Sequence, residues 1–348
     1  MSSSDPDADF GVLSELAHGF MASQVLFAAC DLGVFDLLEE ASQPLDAATV
    51  ATRLGTSTRG TRPLLDTCVT LNLLRVQTLS DTALYSNSEL ASTYLARASP
   101  RCQCHMFLYL AGTTYPCWAH LAEAVREGRN QYQRAFGVGS DPLFAAIYRS
   151  EGELLRFMKG LQEGWTLDGP ALLTAFDLAP FAHICDLGGG SGALARLCAS
   201  LYPACHVTVF DIPEVVQMAG THFPLQEEEK DRVTFQAGDF FLDPLPEADL
   251  FILARVLHDW SDQKCSKLLA RVFQACRAGG AVLVVESVLD PDGRGPLTTQ
   301  LYSLNMLIQS EGLERTAPQY RALLRGAGFD TVSLRHPTGT YQAILGSK

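Results

Sequence analysis

The first fifty residues contain no lysine or arginine, and residues 1–100 carry 12 acidic side chains against 5 basic ones, a net of −7. A reader of nucleic acid needs a positive face to neutralise phosphates, and this half of the chain cannot supply one. The whole chain of 348 residues has 26 Lys and Arg against 39 Asp and Glu, a net of −13, with no block of basic residues. Neither nucleic acid nor an anionic membrane surface is therefore expected as a partner. The opening MSSSDPDADF has no positively charged segment, and no apolar stretch is expected to reach the roughly 18 residues of a membrane span, so the expected location is cytoplasmic. None of the ten cysteines forms a CxxC pair. Cys102, Cys104 and His105 are the nearest approach to a zinc set, and the reading preferred is reduced thiols buried in apolar runs.

What the chain does have is core material, 47% hydrophobic residues, in a length that favours two domains over one. The rhythm changes near residue 165. Before it the pattern is helical. LSELAHGFMASQVLFAACDLGVFDLLEE repeats apolar positions every three or four residues and breaks at Gly33. Two short helices follow around Gly55-Thr56-Ser57-Thr58, the first capped by Asp46, and then the β-like pair LLRVQTLS and ALYSNS. Helix, turn, helix and a small wing outline a winged helix. Without a basic face, it is expected to serve dimerisation through FMASQVLFAACDLGVFDLL, a stretch that reads equally well as its own domain's core.

After residue 180 short apolar strands alternate with amphipathic helices: HICDL, HVTVFD, RVTFQAGD, ADLFILA, AVLVVES, TVSLRH and TYQAILG. That pattern predicts a mostly parallel seven-stranded sheet with helices on both faces and a reversed terminal strand. The expected domains are residues 1–165, helical and winged-helix-like, and 166–348, a Rossmann-like α/β domain of the kind that binds S-adenosylmethionine. Open α/β sheets bind ligands at the carboxyl ends of their strands. The first strand ends in Asp186-Leu-Gly-Gly-Gly-Ser-Gly, where Gly188 can bring backbone close to a ligand. The second ends in Asp211, placed to accept from ribose hydroxyls, and the third in Gly238-Asp239-Phe240, a carboxylate and a ring suited to adenine. A dinucleotide-binding dehydrogenase is the competing reading, because Gly188-x-Gly190-x-x-Ala193 also fits its fingerprint.

DLGGGSGALA, VFDIPEVV, GDFFLDPLPEADLFILARVLHDWSD, LVVES and EGLERT together resemble the small-molecule O-methyltransferases of the caffeate type. The resemblance runs over nearly the whole chain. It implies methyl transfer from S-adenosylmethionine to the 5-hydroxyl of a hydroxyindole, with other hydroxyindoles or small phenols as alternative acceptors, by a homodimer joined through the N-terminal domain. It implies a donor site of Gly188, Asp211, Asp239, Phe240 and Arg255, with Tyr148 and Trp165 approaching from the helical segment. Plant relatives usually carry lysine where Arg255 stands. It also implies His258 as base, Glu286 and Glu314 as its orienting carboxylates, and Asp259, Asn305 and Gln309 at the acceptor.

Residue chemistry agrees. His258 follows the fourth strand, on the ligand-binding edge, and Glu286 ends the fifth beside it. An aryl hydroxyl, with a pKa near 10 like tyrosine, must lose its proton during methylation, and an imidazole of ordinary pKa near 6.5 can take it. No metal is expected, since the His258–Glu286 pair replaces the oxygen-rich cation site of magnesium-dependent catechol enzymes. Duller readings compete for several positions. Asp259 could be a helix cap and Asp262 is read only as one, Glu314 could be structural with Thr316 capping the next helix, and Trp165 could be core.

Overall fold

The computed structural model describes residues 6–139, 143–337 and 339–348. Contacts divide the chain into two compact units, Met1–Gly112 and Thr113–Lys348. The dividing line thus falls earlier than the change of rhythm at 165, and the helices of residues 115–173 fold with the sheet.

In the first unit the helix Pro6–Leu32 is followed by Val34–Glu40, and the break between them is Gly33 at φ +76°. The helix Ala47–Leu54 starts where expected, with the Asp46 carboxylate accepting from the Ala48 and Thr49 amides at 2.9 and 3.0 Å. The helix Thr58–Thr70 follows. The wing is a three-stranded antiparallel sheet in which β1 (Leu45–Asp46) and β2 (Leu74–Leu79) flank β3 (Thr82–Asn87). Leu65, Phe35, Val50 and Tyr85 fill its core. One expectation fails here. Phe10–Leu32, at mean hydropathy 1.2, is long and apolar enough to cross a membrane by length and composition. The apolar residues recur around the whole helix rather than in one run, which hides the stretch from a search for uninterrupted hydrophobics.

The second unit is built on a seven-stranded sheet in the order β11-β12-β8-β7-β4-β5-β6. Its strands are β4 (His183–Leu187), β5 (His206–Asp211), β6 (Val233–Ala237), β7 (Ala248–Ala254), β8 (Cys276–Glu286), β11 (Thr331–Arg335) and β12 (Gln342–Ser347). A small parallel pair, β9 (Val288–Leu289) with β10 (Arg315–Thr316), lies outside it. Every strand of the large sheet is parallel except β12, which runs antiparallel to both β11 and β8. The chain leaves β4 toward β5 and β6 and returns to its other side with β7. Strand order therefore reverses at β4, and ligands of such sheets bind outside the carboxyl ends at that point.

Both faces are covered, so alternate residues of one strand enter two different cores. In β7, Phe251 and Leu253 pack with the helices Asp262–Ala275 and Ala317–Ala327, while Leu250 and Ile252 pack toward Ala193–Leu201. This is why ADLFILA reads as a continuous apolar run rather than an alternating one. The prediction is that Leu253→Ala, at a fully buried position, lowers unfolding free energy by about 2–5 kcal/mol in urea denaturation, a loss below about 1 kcal/mol contradicting this packing.

Candidate active site

The site begins with one backbone residue in an unusual conformation. Arg255, immediately after β7, has φ +57°, a left-handed geometry uncommon for a non-glycine residue. Its amide still donates to the Val285 carbonyl at 2.9 Å, continuing the ladder with β8. The chain then turns, and the next three amides converge on one oxygen. Val256, Leu257 and His258 donate to Glu286 Oε1 at 3.0, 2.8 and 3.3 Å. Successive N–H groups arranged this way form an anion-binding concavity, here filled by a carboxylate from the end of the neighbouring strand.

The same turn delivers the imidazole. His258 Nδ1 lies 2.9 Å from Glu314 Oε1 and 3.6 Å from Glu286 Oε2, with both carboxylates fully buried. Glu314 reaches this place because β10 pairs with β9, and β9 begins two residues beyond Glu286. Nε2 points the other way, 3.9 Å from Asp259 Oδ1. Burial works against a charged ring, but Glu286, Glu314 and Asp259 outweigh it and push His258 up to about 9. Burial raises Glu286 and Asp259 as well, so His258, Glu286 and Asp259 all favour their protonated forms more than separate side chains would.

Two residues hold this loop that the sequence did not flag. Arg315 is wholly buried, and its guanidinium donates to the Leu257 and Trp260 carbonyls at 2.9 and 2.8 Å. Its Nε donates to Asp262 Oδ1 at 2.8 Å. That corrects the reading of Asp262 as only a helix cap: Ser261 is the N-cap, without a side-chain bond, and Asp262 is the counter-ion of a buried arginine. Gly312 is the other. A β-carbon there would stand 1.8 Å from the His258 carbonyl oxygen, so two backbones meet where only glycine fits. The Thr316 cap is present as expected, in a box with Gln319.

The residues expected on the donor side lie at the ends of β4, β5 and β6. Gly188, at φ +72°, accommodates the close approach of Val256, whose Cγ2 would be 3.1 Å from a β-carbon. This contact joins the glycine turn to the loop carrying His258. Asp211 accepts from the Gly190 and Ile212 amides at 2.9 and 2.8 Å. Burial nevertheless raises it to about 6, and raises Asp186 behind it to about 7 with help from the Asp211 charge. Gly238 donates to the Asp211 carbonyl at 2.9 Å and leaves room for the Phe210 ring, 2.4 Å from a β-carbon there. The Asp239 carboxylate accepts from Phe241 N at 2.7 Å. Phe240 lies against the edges of Phe241 and Trp260, beside Gly188.

Tyr148 packs with Ile212 and Val215, just beyond Asp211. Trp165 packs on Tyr341 at 5.9 Å, and the Arg255 guanidinium lies 5.6 Å over that same ring. Trp165 is thus both core and neighbour of the site. Burial disfavours the Arg255 charge, but Tyr341, Tyr302, Asp259 and Glu286 restore it and leave the group raised.

Asn305 and Gln309 share one helix face, as their spacing requires, and Gln309 Nε2 donates to Asn305 Oδ1 at 2.6 Å. The same oxygen accepts from Trp118 Nε1 at 2.9 Å, and Gln309 Oε1 accepts from the Tyr132 hydroxyl at 3.0 Å. Trp118 and Tyr132 were not foreseen, because they lie more than 170 residues from their partners.

The arrangement combines a carboxylate-held imidazole with acids, glycines and aromatic rings on the same edge of the sheet. Comparison with known proteins agrees. The O-methyltransferase domain family matches residues 118–330, and the O-methyltransferase dimerisation domain family matches 14–97. Acetylserotonin O-methyltransferase of Bos taurus is 63% identical over 97% of this chain and 98% of its own. The crystal structure of human N-acetylserotonin methyltransferase in complex with SAM is 58% identical, with a TM-score of 0.96, over 100% of this chain and 99% of that one. PigF with SAH is 26% identical at a TM-score of 0.86, over 97% and 99%. The dehydrogenase reading falls with these matches, and the chain belongs to the O-methyltransferase family.

Proposed function

We propose that this protein transfers a methyl group from S-adenosylmethionine to the 5-hydroxyl of N-acetylserotonin, giving melatonin, with His258 as general base. The observation that carries the proposal is the imidazole fixed between Glu286 and Glu314 at the edge where the sheet order reverses. The similarity to named acetylserotonin enzymes supports the acceptor.

The residues present fit the methyl donor. Asp211 spends its oxygens on two amides but keeps lone pairs for ribose hydroxyls, and space is open beside Gly190, where a β-carbon would meet nothing within 4 Å. We assign Gly188, Asp211, Gly238, Asp239, Phe240, Arg255, Tyr148 and Trp165 to that site, and Asp259, Asn305 and Gln309 to the acceptor. Bound there, S-adenosylmethionine supplies an electrophilic methyl group on a positively charged sulfur. His258 Nδ1 donates to Glu314, which leaves Nε2 as the proton acceptor facing outward. A base near 9 and a phenolic hydroxyl near 10 are well matched, so the proton moves with little uphill cost once the acceptor oxygen begins to bond carbon. Glu286 keeps the ring in place by holding the backbone that carries it.

Two copies would pair through the first unit, where Leu13, Leu16, Phe20 and Met21 of the helix Pro6–Leu32 are exposed in the single chain. A second copy, rather than a bilayer, is the covering we assign to them. The ten buried cysteines, none in a disulfide among the described residues, suit a reducing compartment, and we place the protein in the cytosol.

Incubated with S-adenosylmethionine and N-acetylserotonin, the protein is expected to give melatonin by mass spectrometry. His258→Ala is expected to lose about 10²–10⁴ in rate. No product would refute the acceptor, and an undiminished mutant would refute the base. A second expectation follows from the charges. Removing a carboxylate lowers the His258 pKa, so the rising limb of kcat/KM for the acceptor, measured at saturating donor, should move to lower pH in Glu314→Gln. An unmoved or upward-shifted limb contradicts the arrangement.

A further inference from the structure

The two carboxylates around His258 each have one buried oxygen without a hydrogen-bond partner in the described structure, the one on Glu286 lying 3.6 Å from the ring nitrogen. Glu286 Oε1 takes three amides and Glu314 Oε1 takes the ring nitrogen, but Glu286 Oε2 and Glu314 Oε2 have no hydrogen-bond partner. Both belong to side chains with no exposed surface. An unsatisfied carboxylate oxygen at zero exposure is costly, and two beside one imidazole describe a place that would bind a cation.

The spacing suits one ion in particular. One ligand atom from each of His258, Glu286 and Glu314 lies within 4.8 Å of the others, with Nδ1 at 2.9 and 3.6 Å from the two carboxylates. Zinc binds nitrogen and carboxylate oxygen at about 2.0–2.2 Å, which puts ligands at neighbouring tetrahedral vertices roughly 3.4 Å apart. The Nδ1–Glu286 separation of 3.6 Å already matches that spacing, and side-chain adjustment that opens the 2.9 Å contact with Glu314 and brings the carboxylates to a similar separation would seat the ion. A ring nitrogen and only three protein ligands disfavour calcium and magnesium, which take six or more oxygens. Asp259, 3.9 Å from Nε2, adds a third carboxylate on the other side of the ring.

We propose that His258 Nδ1, Glu286 and Glu314 form an inhibitory zinc site, in which the ion takes the place of the proton shared between the ring and Glu314. Starting from the doubly protonated ring, the Nδ1 proton leaves to solvent and zinc takes the lone pair it vacates. The neutral ring must then carry its remaining proton on Nε2, the atom that has to receive the proton of the acceptor. Zinc thus locks the imidazole in the tautomer that cannot act as base. This consequence rests on His258 being the base; the binding of the ion does not.

The test is a titration of the full-length, reduced, metal-free protein with zinc by calorimetry and with cobalt(II) by visible absorption. One site is expected, with the cobalt bands of nitrogen and oxygen ligands and no thiolate charge transfer. Glu314→Gln and His258→Gln should each weaken zinc at least ten-fold. His183→Ala, which removes an exposed histidine paired with Asp249, should leave binding unchanged. Saturating zinc should reduce methyl transfer at least ten-fold, and a chelator should restore it. Thiolate bands, no binding, or wild-type affinity in either variant would overturn the site. The wild-type spectrum decides the ligand type even if a variant fails to fold. Zinc bound as described with methyl transfer unchanged would leave the ion in place but overturn its inhibitory role, and with it the assignment of His258 as base.

Discussion

Three backbone amides donating to one buried carboxylate oxygen hold this site together. Val256, Leu257 and His258 turn inward onto Glu286 because Arg255 adopts a left-handed conformation at the end of β7. Such a conformation costs of order 1–3 kcal/mol, whereas a hydrogen bond to a charged group contributes about 1.5–3 kcal/mol. Three of them offset the strain. Because Glu286 ends β8, the position of the imidazole is referred to the rigid centre of the sheet rather than to a surface loop. Arg315 and Gly312 secure the same turn from behind, one through carbonyls and the other by leaving space.

The fold and the chemistry meet in this arrangement. A parallel sheet covered on both faces exposes its strand ends on one edge, and such sheets bind ligands where the strand order reverses, here at β4. Asp211 ends β5 and Asp239 follows β6, His258 follows β7, and the carboxylates beside its ring come from the end of β8 and from just before β10, which pairs with β9. Gly188 packs on Val256, two residues before His258, so the two halves of the site are in direct contact. The price of this compactness is a crowd of negative charge, and the raised His258 is its electrostatic result.

Much of this was legible in the sequence where the signal was local. HICDL, HVTVFD and ADLFILA are strands with the bounds their apolar runs suggest, and Asp46 and Thr316 cap the helices they precede. Asn305 and Gln309 meet because helical periodicity alone brings them together. The opaque parts depend on residues far apart in the chain. Nothing local distinguishes Arg315 from a surface arginine, or Gly312 from a loop glycine, and Asp262 looked like a cap because its partner is 53 residues away. Glu314 was identified through family resemblance, since only the β9–β10 pairing carries it to His258. The charge of His258 could not be read either, because an ordinary imidazole pKa says nothing of three carboxylates nearby.

The central claim is that His258 keeps its proton on Nδ1, toward Glu314, and uses Nε2 as the titrating atom. The most direct measurement is nitrogen NMR of the protein labelled at histidine, with His258→Gln identifying the signal, followed across pH 6 to 10. The account predicts that Nδ1 stays protonated throughout while Nε2 loses its proton near pH 9. A ring that titrates near 6.5 like a free histidine, or that retains its proton on Nε2 when neutral, would contradict it.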